Sequence, residues 1–368
     1  KKSGSCKKLY IAGCLPRYIE NITTGSKQEK EYKSVLLNID GIIDSVKIYG
    51  CFAPKIKATH PWLSYVKISE GCNNNCAYCL IPKLRGGLKL RATMDIIKEI
   101  EILSKKNVKE IIFVAQDTTL HKDLTRILKK TAKIRNIRWI RIMYAHPKHI
   151  SKKLISLMAN ERKILKYIDL PLQHCNDKIL KLMNRGYCKS DIERIVNLLR
   201  EKIPEIVIRT TFIVGFPGET EKDFDELKTF VKSMKFDRVG VFPFSRENGT
   251  KAYNMKGQIQ EKVKNDRLKK LMRLQERISY VKNKALMGKT LDVIVEKIVD
   301  ADKTFKKRMT YNFIGRSYRD APDIDGFVYA YSFNISKIKL GDIVKVRVNG
   351  CSTHDLYGVM IDSRRKTG

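Results

Sequence analysis

The chain has 368 residues, of which 43% are hydrophobic; this excludes a disordered protein and suits two or three globular domains. No apolar run approaches the roughly 20 residues that cross a bilayer, and no signal-peptide pattern is present at the start, so we expect a cytoplasmic protein without membrane contact. The nine cysteines are an odd number, and a reducing compartment argues against a disulfide framework, so clustered cysteines are expected to bind metal.

The formal net charge of +35 invites a nucleic-acid-binding interpretation, because Lys and Arg bind phosphates. A general bias of composition toward Lys, Ile and Asn would give the same charge, so charge alone assigns no polyanion site. The excess is also uneven, since 289–362 holds 12 Lys or Arg against 10 Asp or Glu. The C-terminal part is therefore close to neutral.

Two α/β patterns follow one another along the chain. The segment KKLYIAGCLP (7–16) predicts a strand that enters a turn, as at the end of an α/β unit. From Cys72 to Phe242, short apolar runs alternate with amphipathic stretches. Strands are predicted at 108–116, 137–144, 167–172, 205–216 and 237–244, and helices at 95–106, 177–185, 191–202 and 220–234. This alternation predicts parallel strands in an open or closed β/α barrel, with the chemistry at the carboxyl ends of the strands.

A long basic helix is predicted at 261–287, and the pattern changes after Gly288. The helix is expected to pack an apolar stripe on the barrel, formed by Val263, Leu268, Leu271, Leu274, Ile278 and Val281. Short strands are predicted at 290–298, 327–331 and 342–350, which is typical of a small β-barrel. The predicted domains are 1–55, 62–287 and 288–362.

Three cysteines lie within eight residues of the segment SEGCNNNCAYCLIPKLRG (69–86), just after a predicted strand. Cys72, Cys76 and Cys79 could hold three irons of a 4Fe-4S cluster and leave the fourth iron open to a ligand. Zinc is the competing interpretation, but a structural zinc site needs four closed ligands and no partner motif follows. Inert buried thiols would explain one such cysteine, not three in one polar loop.

The CxxxCxxC spacing, with Tyr78 before the last cysteine, resembles the radical S-adenosylmethionine (SAM) superfamily. The resemblance implies that Cys72, Cys76 and Cys79 hold the cluster and that the backbone of Tyr78 lies against the adenine of SAM. It also implies that SAM binds the open iron and yields a 5′-deoxyadenosyl radical, which abstracts hydrogen from an unactivated carbon.

Further segments narrow the resemblance to the methylthiotransferases, over essentially the whole chain: VAQDTT (114–119), DLPLQHCNDKILKLMNRG (169–186), RTTFIVGFPGETEKDF (209–224) and GRSYRDAPDIDGFVY (315–329). The implied fold is a partial TIM-type β/α barrel between a truncated N-terminal cluster-binding domain and a C-terminal TRAM β-barrel. AQDTT and the 315–326 stretch resemble the RimO-type branch, which modifies the β-carbon of an aspartate in small-subunit ribosomal protein twelve. The near-neutral C-terminal domain agrees, because a domain that grips tRNA should be basic.

The resemblance implies a second 4Fe-4S cluster, which supplies the sulfur that a second SAM has methylated. Three cysteines of the N-terminal domain hold it in the family, and here Cys14 matches one of them. The other two would lie upstream of Lys1, so we expect the chain to be a fragment with an incomplete ligand set; Cys6 and Cys51 are not at family positions. The implied partners are ribosomal protein twelve or the assembling small subunit and a flavodoxin or ferredoxin electron donor, and the enzyme is expected to be a monomer.

Two strand ends carry further cofactor-binding candidates. Gln116 and Asp117 end the second barrel strand, where the superfamily binds the amino group of SAM; a solvated strand end is the alternative. Gln173 and His174 end the segment DLPLQH and are predicted to line the pocket, with a hydrogen-bonded core histidine as the alternative.

Gly215, in the turn GFPGE (215–219), would allow the backbone to approach a ligand, although a structural turn needs the same residues. Arg209 could pair with a carboxylate of the cofactor, with a surface charge as the alternative. The remaining cysteines are predicted to be inert: Cys175, Cys188 and Cys351.

Two rival functions remain open at this level. A tRNA adenosine methylthiotransferase shares every barrel motif and differs mainly in the C-terminal surface and in the QDTT segment. An inactive, degenerate copy would bind ribosomes or iron without turnover. The sequence does not assign the residues that contact the ribosomal substrate, but 318–325 is the place to look, because its Asp-rich character would suit a basic partner.

Overall fold

The computed structural model describes residues 8–12, 39–43, 59–305 and 309–361. Its N-terminal part holds two short strands that pair in parallel, β1 (Tyr10–Ala12) and β2 (Gly41–Ile43). The predicted strand at 7–16 therefore contains β1. Cys6, Cys14 and Cys51 lie outside the described residues.

An open sheet of six parallel strands forms the centre of the chain, in the order β10–β9–β8–β7–β6–β3. The six strands are β3 (Leu63–Lys67), β6 (Glu110–Val114), β7 (Trp139–Ile142), β8 (Ile164–Asp169), β9 (Val207–Val214) and β10 (Arg238–Pro243). Two further strands, β4 (Ser69–Glu70) and β5 (Lys89–Leu90), form a separate antiparallel pair. The parallel order confirms the predicted β/α barrel in its open form.

Helices follow most of these strands, as crossover connections require. Their bounds are α1 (Ile81–Arg85), α2 (Thr93–Lys105), α3 (Leu124–Lys133), α4 (Lys152–Asn160), α5 (Asp177–Leu182), α6 (Lys189–Lys202), α7 (Glu221–Met234) and α8 (Glu261–Lys284). In the described part of the chain, no helix combines the length and apolarity that would let it cross a membrane. The predicted helices at 95–106, 177–185, 191–202 and 220–234 correspond to α2, α5, α6 and α7, whereas α3 and α4 were not predicted.

The two faces of the sheet pack against different layers, because strand side chains alternate. Ile111 and Phe113 of β6 join the main core under the helices. Ile112, between them, points to the other face and packs with Trp139 and Ile294. That inner face is therefore covered, in part, by the C-terminal domain.

The C-terminal domain is a closed barrel of five strands in the order β11–β12–β13–β15–β14. Its strands are β11 (Thr290–Phe305), β12 (Met309–Ser317), β13 (Val328–Tyr331), β14 (Ile343–Cys351) and β15 (Leu356–Met360). The predicted small β-barrel is confirmed, although β12 and β15 were not among the predicted strands.

The Asp-rich segment 318–325, where contacts with the ribosomal substrate were expected, is partly buried at the domain interface. Arg319, Asp320 and Ala321 are at most 7% exposed, because the segment turns into the inner face of the sheet. Asp320 accepts a hydrogen bond at 2.7 Å from Arg238 of β10. Most of the acidic side chains of the segment thus form contacts at the domain interface. Asp323 is one of the few exposed residues of the segment.

The long helix α8 packs the predicted apolar residues Leu268, Leu271, Leu274 and Ile278 on the main core, and it also buries polar side chains that the sequence did not predict. Its buried residues are Lys264, Arg267, Leu271, Gln275, Ser279 and Asn283, whereas Val281 is 65% exposed. Gln275 donates to the carbonyl oxygen of Phe236, and Asn283 donates to that of Ser352 in the C-terminal barrel. The apolar contact with the barrel is thus confirmed, and the hydrogen bonds to carbonyl groups beside it are contacts that a hydrophobic period cannot indicate.

Candidate active site

The cysteine loop begins directly after β4, at a glycine that no other residue could replace without strain. Gly71 has φ +73°, and a Cβ there would lie 2.2 Å from the carbonyl oxygen of Gly87. The amide of Cys72 donates to the carbonyl oxygen of Gly86 at 3.2 Å, so residues 86–87 close the base of the loop. The loop is thereby fixed to the carboxyl end of the first barrel strand.

All three cysteine sulfurs of this loop accept N–H groups. The amides of Asn74 and Ile81 each lie 3.4 Å from a sulfur, those of Cys72 and Cys79 respectively. Cys76 Sγ lies 3.3 Å from Nη1 of Arg185. Burial raises the pKa of the Cys72 and Cys79 thiols, and the backbone amides oppose this effect. Such donors stabilise thiolate, the form that binds metal.

One pocket is lined by all three cysteines and by residues that follow successive strands. Gln116 follows β6, His146 follows β7 and Gln173 follows β8. In the described structure, three of their buried polar atoms have no hydrogen-bond partner: Gln116 Oε1, His146 Nε2 and Gln173 Oε1. A buried polar atom without a hydrogen bond costs free energy unless a ligand or water satisfies it, so the pocket suits a polar ligand.

His146 presents a donor to this pocket. Its Nδ1 accepts the amide of Lys148 at 3.3 Å, so the proton of the neutral ring is on Nε2. Burial, followed by the charge of Arg185, lowers its pKa to about 3, which keeps the ring neutral at pH 7. A neutral imidazole with a free Nε2–H can donate to a carboxylate or hydroxyl of a bound ligand.

Tyr78 lies in the pocket wall. Its hydroxyl is 3.2 Å from Arg185 Nη1, and its ring meets the edge of Phe216 at a centroid distance of 6.5 Å. The side chain is thus held from two directions, which fixes the backbone of the cysteine loop beside it.

Asp117 lies behind the pocket and not in its lining. Its carboxylate accepts the amide of Thr119 at 3.0 Å, the amide group of Asn74 at 3.1 Å and His149 Nδ1 at 2.8 Å. Burial raises its pKa, but the hydrogen bonds from His149 and Thr119 outweigh this and hold it below its usual value. The contact with Asn74 fastens the cysteine loop to the end of β6.

Asp117, His146 and His149 are also close enough to suggest a metal site, with ligand atoms within 4.8 Å of one another. The two rings, however, are stacked at 4.9 Å with an interplanar angle of 28°. Nearly parallel rings direct their nitrogen lone pairs along separate planes, which disfavours a shared ion. Asp117 and His149 are better described as a hydrogen-bonded pair on which the ring of His146 stacks.

Three other predicted residues lie away from the pocket lining. Arg209 forms an ion pair with Asp169 at 2.8 Å and is directed toward Asp325 of the C-terminal domain. Gly215 has φ +73°, but its close neighbour is the side chain of Lys264, 2.3 Å from a built Cβ. His174 is fully buried and accepts the amide of Asn176 through Nδ1, which corresponds to the core-histidine alternative.

His146 and Arg185 are among the lining residues that the sequence did not predict. His146 could have been found, because it closely follows β7 at the same edge as Gln116 and Gln173. Arg185 carries no such signal, since it is 109 residues from Cys76 and follows a helix.

Comparisons with known proteins agree with this geometry. The Radical SAM superfamily matches residues 66–231, and the TRAM domain matches residues 287–361. The ribosomal protein uS12 methylthiotransferase RimO of Caldanaerobacter subterraneus subsp. tengcongensis is 45% identical over 347 residues, which cover 92% of this chain and 74% of that protein. The chain belongs to the RimO methylthiotransferase family. The RimO protein of Pelobacter propionicus is 40% identical, over 97% of this chain and 83% of its own length.

RimO membership confirms the recognition made from the motifs, and it confirms the fold class of a radical SAM barrel with a TRAM domain. Among solved structures, the radical SAM enzyme HemN, the coproporphyrinogen III oxidase of Escherichia coli, aligns with a TM-score of 0.48 and 17% identity, over 71% of this chain and 66% of that chain.

Proposed function

We propose that this RimO-family chain attaches a methylthio group to the β-carbon of an aspartate in ribosomal protein uS12. The relatives that cover most of the chain carry the name of that activity. The observation that carries the proposal is the single pocket that Cys72, Cys76 and Cys79 line together, at the edge of the sheet where barrel enzymes place their chemistry.

The pocket suits a SAM-binding 4Fe-4S cluster. Its three sulfurs accept N–H groups, and three thiolates leave one iron of such a cluster free for a ligand. When bound, the cluster and SAM supply a hydrogen-abstracting radical, which an unactivated C–H bond requires because it offers no acidic proton.

The chain's own residues would bind and orient SAM. We assign its polar groups to the unpartnered atoms of Gln116, His146 and Gln173, and its adenine to the backbone of Tyr78. Oriented polar contacts in a partly enclosed pocket fix the geometry of the reacting groups and limit access of water. Asp117 acts indirectly, by holding Asn74 and hence the cysteine loop.

A second cluster would provide the sulfur, with Cys14 as one ligand. Electrons would come from a flavodoxin or a ferredoxin, since the reaction consumes a low-potential electron. Both assignments rest on the family resemblance.

The test is mass spectrometry of uS12 from a host whose own enzyme has been deleted and that expresses this protein. We expect a methylthio increment on one aspartate, and its loss in Cys72→Ala. Cys188→Ser is the matched control, because Cys188 lies at the start of α6, where serine is a favoured N-cap. That variant should retain the increment.

Two results would contradict the proposal. Methylthiolated adenosine in tRNA, without modified uS12, would establish the tRNA-modifying alternative. Neither product, from a protein that binds iron, would establish an inactive copy.

A further inference from the structure

Arg185 is brought to the cysteine loop by a tight turn after α5. Asn184 and Gly186, on either side of it, both have positive φ, +56° and +70°. The turn is joined to the loop by the amide of Ala77, which donates to the carbonyl oxygen of Met183 at 2.9 Å. The side chain of Asn184 adds a second hydrogen bond, to the carbonyl oxygen of residue 75 at 2.7 Å. The position of Arg185 therefore depends on contacts that exist without any cofactor.

The guanidinium of Arg185 is held by partners on three sides. Nε donates to the hydroxyl of Tyr187 at 2.8 Å, and Nη2 donates to the carbonyl oxygen of Pro171 at 2.8 Å. Nη1 reaches Cys76 Sγ at 3.3 Å and the Tyr78 hydroxyl at 3.2 Å. Tyr187 is itself anchored to the carbonyl oxygen of Leu172 at 2.8 Å. The N–H group aimed at the sulfur is thus preorganised.

This guanidinium has no carboxylate partner within the part of the chain that the structure describes, although it is only 7% exposed. Burying a cation is costly unless an opposite charge compensates it. The neighbouring groups that can carry negative charge are the pocket thiols. A cluster bound by three thiolates would supply the missing counter-charge at the place where Nη1 points.

We propose that Arg185 is a positioning residue of the radical cluster: it donates a hydrogen bond to the Cys76 sulfur and offsets the negative charge of the loaded site. This inference rests on the proposed function, since it requires a cluster at Cys72, Cys76 and Cys79. Hydrogen bonds to cluster sulfurs, net charge and solvent exposure set the reduction potential. Arg185 contributes to the first two and so makes the cluster easier to reduce.

The experiment is a redox titration, followed by electron paramagnetic resonance, of the reconstituted chain in a Cys14→Ala background, which confines the signal to the cluster at Cys72, Cys76 and Cys79. Arg185→Gln removes the charge and Arg185→Lys keeps it without the planar fork. The control is Arg194→Gln, which removes the same charge from a side chain that is 70% exposed. Circular dichroism and iron content report folding and loading.

We expect Arg185→Gln to shift the reduction equilibrium at least tenfold toward the oxidised cluster, which is about 59 mV for a one-electron couple. Arg185→Lys should lie between that variant and the wild type, and Arg194→Gln should match the wild type. Loss of iron from a folded Arg185→Gln, with full loading of the control, would also support the inference. A folded and fully loaded Arg185→Gln with the potential of the control would overturn it.

If Arg185→Gln does not fold, the reduction potential of Arg185→Lys is the test. A potential lower than that of wild type supports the inference, and an unchanged potential overturns it. The proposed function fails separately. A loaded protein that shows the Arg185 effect yet leaves uS12 unmodified would overturn the substrate assignment alone, whereas an active enzyme without the effect would overturn this inference alone.

Discussion

Buried arginines in two regions of the molecule, the domain interface and the cysteine pocket, have different kinds of partner. At the domain interface, Arg316 of β12 lies 2.7 Å from Glu110 of β6, whose other oxygen is 3.0 Å from Arg141. All three side chains are fully buried. In the cysteine pocket, Arg185 has hydroxyl, carbonyl and sulfur partners but no carboxylate among the described residues.

The difference separates an interface whose buried charges are compensated by carboxylates from a site that needs a ligand. Carboxylates compensate the buried charge at the interface, so the two domains hold each other without further components. The pocket leaves a cation uncompensated and has unpartnered atoms on Gln116, His146 and Gln173. Substitutions at the interface should therefore change stability, and substitutions in the pocket should change binding.

The largest effect on stability is expected from Glu110→Gln. In wild type, Glu110 and Glu296 compensate the charges of Arg141 and Arg316. The substitution leaves both arginines buried with Glu296 alone, which pairs with Arg316 at 2.8 Å. Breaking a buried pair from one side costs about 3–5 kcal/mol. Urea unfolding of the protein measures this loss, and Asp292→Asn is the control, because its exposed pair with Lys345 is worth at most about 1 kcal/mol.

The contribution of Glu110 to the unfolding free energy should depend on pH. Burial raises the pKa of Glu110, but Arg316 and Arg141 outweigh this and hold it below its usual value of 4.5. The stability that Glu110 contributes is therefore fully present above pH 4.5 and is lost as the pH falls through the lowered pKa. The difference in unfolding free energy between wild type and Glu110→Gln should shrink below pH 4.5. A difference independent of pH would show that the carboxylate charge is not what holds the interface.

Two glutamines provide a matched pair for the next effect. Gln275 of α8 donates to the carbonyl oxygen of Phe236 and to the hydroxyl of Ser279, both at 3.0 Å. Gln275→Met leaves that carbonyl group buried without its donor, which costs about 1–3 kcal/mol of unfolding free energy. SAM affinity of the loaded enzyme should not change.

Gln173→Met should change SAM affinity and leave the unfolding free energy almost unchanged, because Gln173 Oε1 has no hydrogen-bond partner in the described structure. The unfolding free energy should stay within about 0.5 kcal/mol of wild type, whereas SAM should bind about tenfold more weakly if one hydrogen bond to a charged group is lost. Equal affinities for the two variants would contradict the assignment of Gln173 to the cofactor.

The cysteine pocket could be predicted in part because its residues follow a simple rule. Cys72, Cys76 and Cys79 are close in sequence, and Gln116 and Gln173 follow predicted strands, so the barrel rule places them at one edge. Arg185 follows a helix, and its contact with the loop requires the turn at Asn184 and Gly186, which no periodicity indicates.

The interface could not be predicted, because charged residues inside strands look like surface positions. Arg209 lies inside a strand, and its carboxylate partners, Asp169 and Asp325, are 40 and 116 residues away. The same reason explains why the polar residues that α8 buries beside its apolar ones were not predicted. By contrast α3 was within reach, since Leu124, Ile127 and Leu128 have helical spacing and are buried.

The smallest effect is expected at the start of α7, where Thr220 and Asp223 form a capping box. Thr220→Ala removes a hydroxyl that accepts the amide of Asp223 at 3.3 Å, and should cost about 1 kcal/mol of unfolding free energy. Thr220→Ser keeps the cap and should behave as wild type. SAM affinity should be unchanged in both, because the turn 215–219 before this helix packs on Lys264 and lies outside the pocket lining. A loss of SAM affinity in Thr220→Ala alone would place that turn, and Gly215 with it, in the cofactor site. The turn would then belong to the ligand-binding region of the molecule and not to its structural region.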